Sequence, residues 1–132
     1  MREYRHRRRV QFYETDLVGI VHFAWYLRYM EEAEHALWRS AGLRIAAPDA
    51  LVTFPRVSAS VEYHAPLRFE EEIDILIRVD ALTRRSIRYA TTIMRGDTKI
   101  ATGTHTVVCV RTGPGPMEAV EIPADIVARL SA

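Results

Sequence analysis

One long amphipathic segment constrains the fold of this chain more than any other feature. Across residues 23–41, apolar side chains recur every three or four positions and charged side chains take the opposite side. This spacing predicts one helix of about 28 Å, at about 1.5 Å per residue. Gly42 follows the segment directly and is suited to end the helix in a left-handed cap. Such a helix needs another layer to cover its apolar face.

The second half of the chain supplies that layer as alternating apolar and polar residues, the period of β-strands. Strands are predicted at residues 57–63, 73–81, 87–93 and 98–111, with turns at 65–66, 83–85 and 95–97. A further strand is predicted at residues 7–13, although Arg8 interrupts its apolar side, and an irregular connection follows at 14–21. Residues 44–55 form a linker, and a short helix is predicted at 123–130.

One helix and five strands, four of them consecutive with short turns, predict an α+β fold in which an antiparallel sheet wraps around the long helix. A five-stranded sheet leaves edge strands that can pair with another chain. We therefore expect a homodimer at least. The 132 residues predict a single domain over residues 1–132.

Composition excludes several classes of protein. Lysine and arginine number 18 against 17 acidic residues, so a dedicated nucleic-acid binder is not expected. Cys109 is the only cysteine and cannot form an internal disulfide, which favours a cytoplasmic protein. The sequence shows no secretion signal or membrane span. His105 and Cys109 share a strand face without further ligands, so no metal site is expected.

Most enzyme motifs are also absent, including the serine elbow, the phosphate-binding glycine loop and the zinc-protease histidine pair. What remains is the segment from Asp16 to Gly19, which leads directly into the long helix. Backbone N–H groups at a helix start are unpaired and can stabilise an oxyanion. From these residues alone, a capping carboxylate in a turn is the simpler interpretation of Asp16, and a catalytic carboxylate is the alternative.

The same segment carries a family resemblance. Its pattern Tyr13-x-x-Asp16-x-x-Gly19-x-Val21-His22-x-x-x-Tyr26 resembles the signature of hotdog-fold acyl-CoA thioesterases of the 4-hydroxybenzoyl-CoA thioesterase family. The passages at 62–72 and 101–110, with Ile122-Pro123, are also similar to that family, so the resemblance covers nearly the whole chain. One departure is Glu70-Glu71, where the family usually has Gly-Asp.

The resemblance implies specific roles for the residues of the segment. Asp16 matches the catalytic carboxylate, acting as nucleophile or as general base on water. Gly19 and Phe23 match the positions whose backbone N–H groups bind the oxyanion. His22 would orient water or contact the acyl group, or else act only as a local hydrogen-bonding group at the helix start.

The resemblance is less specific about the residues that contact the substrate. Tyr13 and Tyr26 are candidates for lining the acyl site, although packing of the helix aromatics against the sheet is the simpler role. The predicted turn Thr83-Arg84-Arg85-Ser86 is a candidate for the phosphates of coenzyme A, although arginines in an exposed turn are more often only solvated.

The predicted function is therefore hydrolysis of an acyl-CoA thioester to a free acid and coenzyme A, with no metal or other cofactor. The alternative is a hotdog module that binds acyl-CoA or acyl carrier protein without hydrolysing it. The expected partners are an acyl-CoA or carrier-protein thioester and further copies of the chain, as homodimer or homotetramer, with no nucleic acid and no membrane. The acyl group is not determined.

Overall fold

A five-stranded antiparallel sheet packs against one long helix. The computed structural model describes residues 1–132. In chain order the elements are β1 (Glu3–Arg9), a 3-10 turn (Phe12–Glu14), α1 (Trp25–Ser40), β2 (Val52–Thr53), β3 (Arg56–Tyr63), β4 (Glu72–Leu82), β5 (Ser86–Arg95), β6 (Thr98–Val108), β7 (Val110–Arg111) and α2 (Ala124–Ser131). The sheet order is β1-β4-β5-β6-β3, and β2 pairs only with β7. The prediction of an α+β fold built on an antiparallel sheet is confirmed.

The core lies between α1 and the inner face of the sheet. Strand β4 alternates as predicted, with Ile73, Ile75, Ile77 and Val79 all at most 2% exposed. Helix α1 is one to two residues shorter at each end than the predicted 23–41. Gly42 has φ +76° and follows its end, which confirms the predicted left-handed cap.

The N-terminal strand lies earlier than predicted. Strand β1 ends at Arg9, whereas residues 12–14 form a 3-10 turn, so the prediction of a strand over 7–13 is wrong in its second half. The reason lies in Glu14, whose carboxylate accepts the Gln11 N–H at 2.8 Å and bends the chain there. Arg8 does face inward, and its guanidinium binds the carboxylate of Glu14.

The connection between β3 and β4 is not the predicted short turn between neighbouring strands. β3 lies at one edge of the sheet and is separated from β4 by β5 and β6. Residues 64–71 therefore cross the end of the sheet. Leu67 is fully buried in this crossing, and its carbonyl accepts the Val21 N–H at 2.8 Å. The crossing thus touches the segment that leads into α1.

The other predicted turns are found. Residues 83–85 join β4 to β5, and residues 96–97 join β5 to β6, with Gly96 at φ +59°. The last predicted strand, 98–111, is divided into β6 and β7 at Cys109, whose N–H donates to the Arg85 carbonyl at 2.7 Å. Neither helix combines the length and the apolar composition needed to cross a membrane.

Candidate active site

Asp16 lies in a tight turn that is held by backbone hydrogen bonds. Its N–H donates to the Ile20 carbonyl at 3.0 Å, and its carbonyl accepts the Gly19 N–H at 2.9 Å. Its Oδ1 accepts the Val18 N–H at 2.9 Å. Gly19 has φ +86°, a conformation that a side chain at this position would strain. The backbone therefore sets the direction of the Asp16 carboxylate.

This turn also corrects one predicted role. Because the Gly19 N–H is already bonded to the Asp16 carbonyl, it is not free to bind an oxyanion. Gly19 instead acts through its backbone conformation, by allowing the turn to close.

A cleft of about 430 Å³ opens beside the turn. Its walls come from the turn, from the start of α1, from the end of β3 and from the crossing between β3 and β4. The lining residues are Asp16, Ile20, Val21, Phe23, Tyr26, Tyr63, His64, Ala65 and Pro66. Asp16 is the only carboxylate among them, and most of the others are apolar. The cleft is suited to a ligand with an apolar part held beside one acidic group.

A backbone donor directly before α1 is unused. The Phe23 N–H has no hydrogen-bond partner in the chain, whereas the neighbouring His22 N–H donates to the Glu14 carbonyl at 2.9 Å. Phe23 directly precedes Ala24, the N-cap residue of α1. The partial positive charge of a helix start favours an anionic group at such a place. Phe23 thus combines a free N–H with a position on the wall of the Asp16 cleft.

His22 has a local role. Its Nδ1 accepts the Ala24 N–H at 3.1 Å, and its ring stacks on Phe23 with centroids 4.5 Å apart. Because a backbone N–H can only donate, Nδ1 carries no proton in this arrangement. His22 does not line the Asp16 cleft. These contacts fit the local hydrogen-bonding role, one of the two alternatives that the sequence leaves for His22.

The two candidate tyrosines differ. Tyr26 is 3% exposed, lines the cleft and meets the Tyr63 ring edge-on at 4.9 Å. Burial raises the pKa of Tyr26 to about 12, so the hydroxyl is protonated at neutral pH. Tyr13 is 68% exposed, packs against Trp25 and does not line the cleft.

The turn between β4 and β5 is distant from Asp16 within the chain. The cleft adjoins the start of β6, because the His64 N–H donates to the Ile100 carbonyl at 2.8 Å. The turn at 83–86 lies by the other end of β6, where Ser86 is paired with Val108. From Ile100 to Val108 strand β6 runs eight residues, which at about 3.3 Å each separates these two positions by about 26 Å.

The side chains of the 83–86 turn differ in their hydrogen bonds and ion pairs. The Thr83 and Ser86 hydroxyls are 2.6 Å apart. Arg84 is paired with Glu121. The Arg85 guanidinium has no partner in the chain, and the residue is exposed. Only Arg85 offers an unpaired positive charge in this turn.

A buried ionic network adjoins the Asp16 turn and was not predicted from the sequence. Glu14 is fully buried, and its carboxylate accepts hydrogen bonds from Arg8, from the Gln11 N–H and from the Tyr29 hydroxyl at 2.5–2.8 Å. The Arg8 guanidinium also lies over the Tyr29 ring, 4.6 Å from its centroid. The network ties β1, the 3-10 turn and α1 together, two residues before Asp16. The signal for it was the charged Arg8 at an inward strand position.

Comparisons with known proteins identify the family of the chain. The chain matches the thioesterase-like superfamily over residues 10–130. A 1,4-dihydroxy-2-naphthoyl-CoA hydrolase of Synechococcus elongatus is 26% identical over 113 residues, which cover 83% of each chain.

Several solved structures are also similar to this chain. A hypothetical protein from Aquifex aeolicus superposes with a TM-score of 0.90 at 30% identity, over 96% of this chain and 98% of the other. A gentisyl-coenzyme A thioesterase superposes with a TM-score of 0.86 at 25% identity, over 98% of this chain and 100% of the other. The chain belongs to the thioesterase-like superfamily and is a thioester hydrolase with the hotdog fold.

Proposed function

We propose that the protein hydrolyses acyl-CoA thioesters and that Asp16 is its catalytic carboxylate. The observation that carries the proposal is the meeting of Asp16 and Phe23 on the wall of one cleft, the first with a carboxylate and the second with an unpaired backbone N–H. The relatives that act on coenzyme A thioesters support this substrate class.

Two routes lead to the same products. In one, Asp16 takes a proton from water while the water oxygen bonds to the thioester carbonyl carbon. In the other, an Asp16 oxygen bonds to that carbon, loss of the thiolate leaves an anhydride, and water then hydrolyses this anhydride and regenerates the carboxylate. In both, the carbonyl oxygen gains negative charge beside the Phe23 N–H. The C–S bond then breaks, and the sulfur leaves as coenzyme A thiolate, which takes up a proton.

These steps use only water and groups of the chain, so we expect no metal or redox cofactor. We also expect a cytoplasmic location, as the single buried cysteine suggests.

The test is thiol release from a panel of acyl-CoAs by wild type, Asp16→Asn and a control, Asp49→Asn. Asp49 is exposed and forms no hydrogen bond or ion pair through its side chain. Loss of a general base or nucleophile is expected to lower the rate by about 100-fold to 10,000-fold in Asp16→Asn. Asp49→Asn is expected to match wild type. Full activity of Asp16→Asn would contradict the assignment, and acyl-CoA binding without any hydrolysis would favour the binding-module alternative.

We further propose that two copies pair along β3 to complete the coenzyme A site. Strand β3 is an edge of the sheet and is exposed along nearly its whole length, Val57 at 60% and Tyr63 at 49% among its residues. Such an edge is a template for pairing with another chain. A two-fold antiparallel pairing reverses the second sheet, so the partner copy's 83–86 turn comes to the end of the sheet that holds Asp16.

In this arrangement Arg85 would contact a phosphate of coenzyme A, while Arg84 remains paired with Glu121. Arg85→Ala is expected to raise KM for acyl-CoA and to leave KM unchanged for an acyl-pantetheine thioester, which lacks the nucleotide. Arg44→Ala, an exposed arginine elsewhere, is the control. Equal effects on both substrates, or a monomer in light scattering, would contradict the proposal.

A further inference from the structure

One side chain of β3 is bonded to the segment that precedes α1. Tyr63 is the last residue of β3, and its hydroxyl donates a hydrogen bond to the Phe23 carbonyl at 2.9 Å. Both residues line the Asp16 cleft. Because the Phe23 N–H is the proposed oxyanion donor, Tyr63 binds the residue that carries this donor.

Few other contacts hold Phe23 in place. Its side chain is 66% exposed, and its ring stacks on the neighbouring His22. Its carbonyl also accepts the Tyr26 N–H, but at 3.4 Å, which is long for a hydrogen bond between backbone groups. The Tyr63 hydroxyl therefore forms the shorter of the two hydrogen bonds to this carbonyl.

The other hydrogen bonds of residues 22–24 are local in the sequence. The His22 N–H donates to the Glu14 carbonyl at 2.9 Å, and the His22 carbonyl accepts the Trp25 N–H at 3.0 Å. The Ala24 N–H donates to the His22 ring. Among the hydrogen bonds of these three residues, only the one from Tyr63 comes from the sheet. It fixes the position of the segment relative to β3, which the local bonds do not.

The Tyr63 ring is itself well supported. It meets the Tyr26 ring edge-on, with centroids 4.9 Å apart and an interplanar angle of 88°. Tyr26 is 3% exposed and therefore offers a fixed surface. The Tyr63 backbone is paired with Ala101 of β6. The hydroxyl thus stands at the end of a rigid ring whose base belongs to the sheet.

We propose that Tyr63 is a positioning residue of the reaction, whose hydroxyl holds Phe23 where its N–H meets the oxyanion of the transition state. The inference rests on the proposed function, because it uses the oxyanion role of Phe23. A donor stabilises the developing charge only at hydrogen-bond distance from the place that the oxygen will occupy. A displacement of about 1 Å can lower the rate by about 100-fold.

The same hydrogen bond contributes little to folding. Tyr63 is 49% exposed, so water can take the place of its hydroxyl at the Phe23 carbonyl. A water molecule satisfies the carbonyl but is not attached to the sheet, so it does not restore the position of the segment. Tyr63→Phe is therefore expected to lower Tm by no more than about 4 °C.

The test measures thiol release by wild type, Tyr63→Phe and a matched control, Tyr4→Phe, with the acyl-CoA that wild type hydrolyses fastest. Tyr63→Phe is expected to lower kcat by about tenfold to 100-fold and to leave KM within about twofold, because it weakens an interaction made only in the transition state. Tyr4 is 39% exposed on β1, and its hydroxyl forms no hydrogen bond. Tyr4→Phe is expected to match wild type in both constants.

Backbone NMR of the substrate-free protein tests the hydrogen bond without reference to activity. The chemical shift of the Phe23 carbonyl carbon is expected to change in Tyr63→Phe and to stay the same in Tyr4→Phe. An unchanged shift in Tyr63→Phe would overturn the inference, because the carbonyl would then not depend on the hydroxyl.

The kinetic outcomes separate this inference from the proposed function. Wild-type kcat in Tyr63→Phe would overturn the positioning role and leave the thioesterase assignment standing. A raised KM at unchanged kcat, or a decrease in Tm well above 4 °C, would overturn it in favour of a binding or a folding role. Absence of hydrolysis by wild type with every acyl-CoA would overturn the proposed function and this inference together.

Discussion

Removal of the Tyr29 hydroxyl is expected to destabilise the protein through the buried carboxylate of Glu14. The hydroxyl donates to Glu14 Oε1 at 2.8 Å, and both residues are fully buried. Tyr29→Phe deletes this hydrogen bond while the ring remains beneath the Arg8 guanidinium. A hydrogen bond to a charged group contributes about 1.5–3 kcal/mol, so unfolding is expected to become easier by that amount.

The size of the effect can be stated as a melting temperature. An unfolding entropy of about 2.1 cal/mol/K per residue gives about 0.28 kcal/mol/K for a chain of 132 residues. Dividing the expected loss by this entropy predicts a decrease of about 5–11 °C in Tm. Thermal unfolding followed by circular dichroism, at one fixed protein concentration, measures this decrease.

Tyr26→Phe is a matched control on the same helix. Tyr26 is also buried, at 3% exposure, but its hydroxyl forms no hydrogen bond in the chain. Its loss is expected to change stability by no more than about 0.5 kcal/mol. Equal decreases in Tm for the two variants, or an unchanged Tm for Tyr29→Phe, would refute the idea that Glu14 depends on the Tyr29 hydroxyl.

Three further predictions concern backbone and charge. Gly19→Ala is expected to lower the free energy of unfolding by about 1–2 kcal/mol, because the φ of +86° is unfavourable for a residue with a Cβ. The same change is expected to lower kcat by disturbing the Asp16 turn. Urea denaturation measures the first effect and thiol release measures the second. Gly103→Ala is expected to cost about 1–3 kcal/mol in the same denaturation assay, because its Cβ would lie 2.9 Å from both the Met30 sulfur and the Ser60 carbonyl oxygen. Arg5 and Arg7 hold the pKa of Asp74 well below its unfolded value of 3.8, so their contribution to stability is present above that pH and lost below it. Wild type is thus expected to lose more stability than Asp74→Asn between pH 6 and pH 3, as urea midpoints at the two pH values would reveal.

Periodicity in the sequence was sufficient for α1, β4 and β5, because each buries one regular face. It was insufficient for the path between β3 and β4, because an alternating pattern says which face of a strand is buried and not which strand lies beside it. The dipeptide Ala65-Pro66 is typical of a short turn between neighbouring strands. In the structure, the buried Leu67 lies in a connection that crosses the end of the sheet from β3 to β4.

Only the part of the candidate site that is local in the sequence could be predicted. The turn around Asp16 is local, so its residues stand together in the sequence. The partner of Arg8 does not lie on the same strand. The chain leaves β1 after Arg9, and the 3-10 turn brings the Glu14 carboxylate back to Arg8. Likewise Glu34, Arg56 and His105 are distant in the chain, and only the sheet and α1 together bring them into contact.

The turn that carries Asp16 and a cavity of about 530 Å³ between α1 and β3 have separate structural supports. Backbone hydrogen bonds among residues 15–21 hold the turn, whereas side chains of α1, β3 and β6 form the cavity. Substitutions in the cavity are therefore expected to leave the backbone of the Asp16 turn in place. A protein built this way is a practical starting point for laboratory evolution, because mutagenesis confined to Leu27, Met30, Ala59 and His105 is expected to reshape the cavity while the turn of Asp16 keeps its conformation.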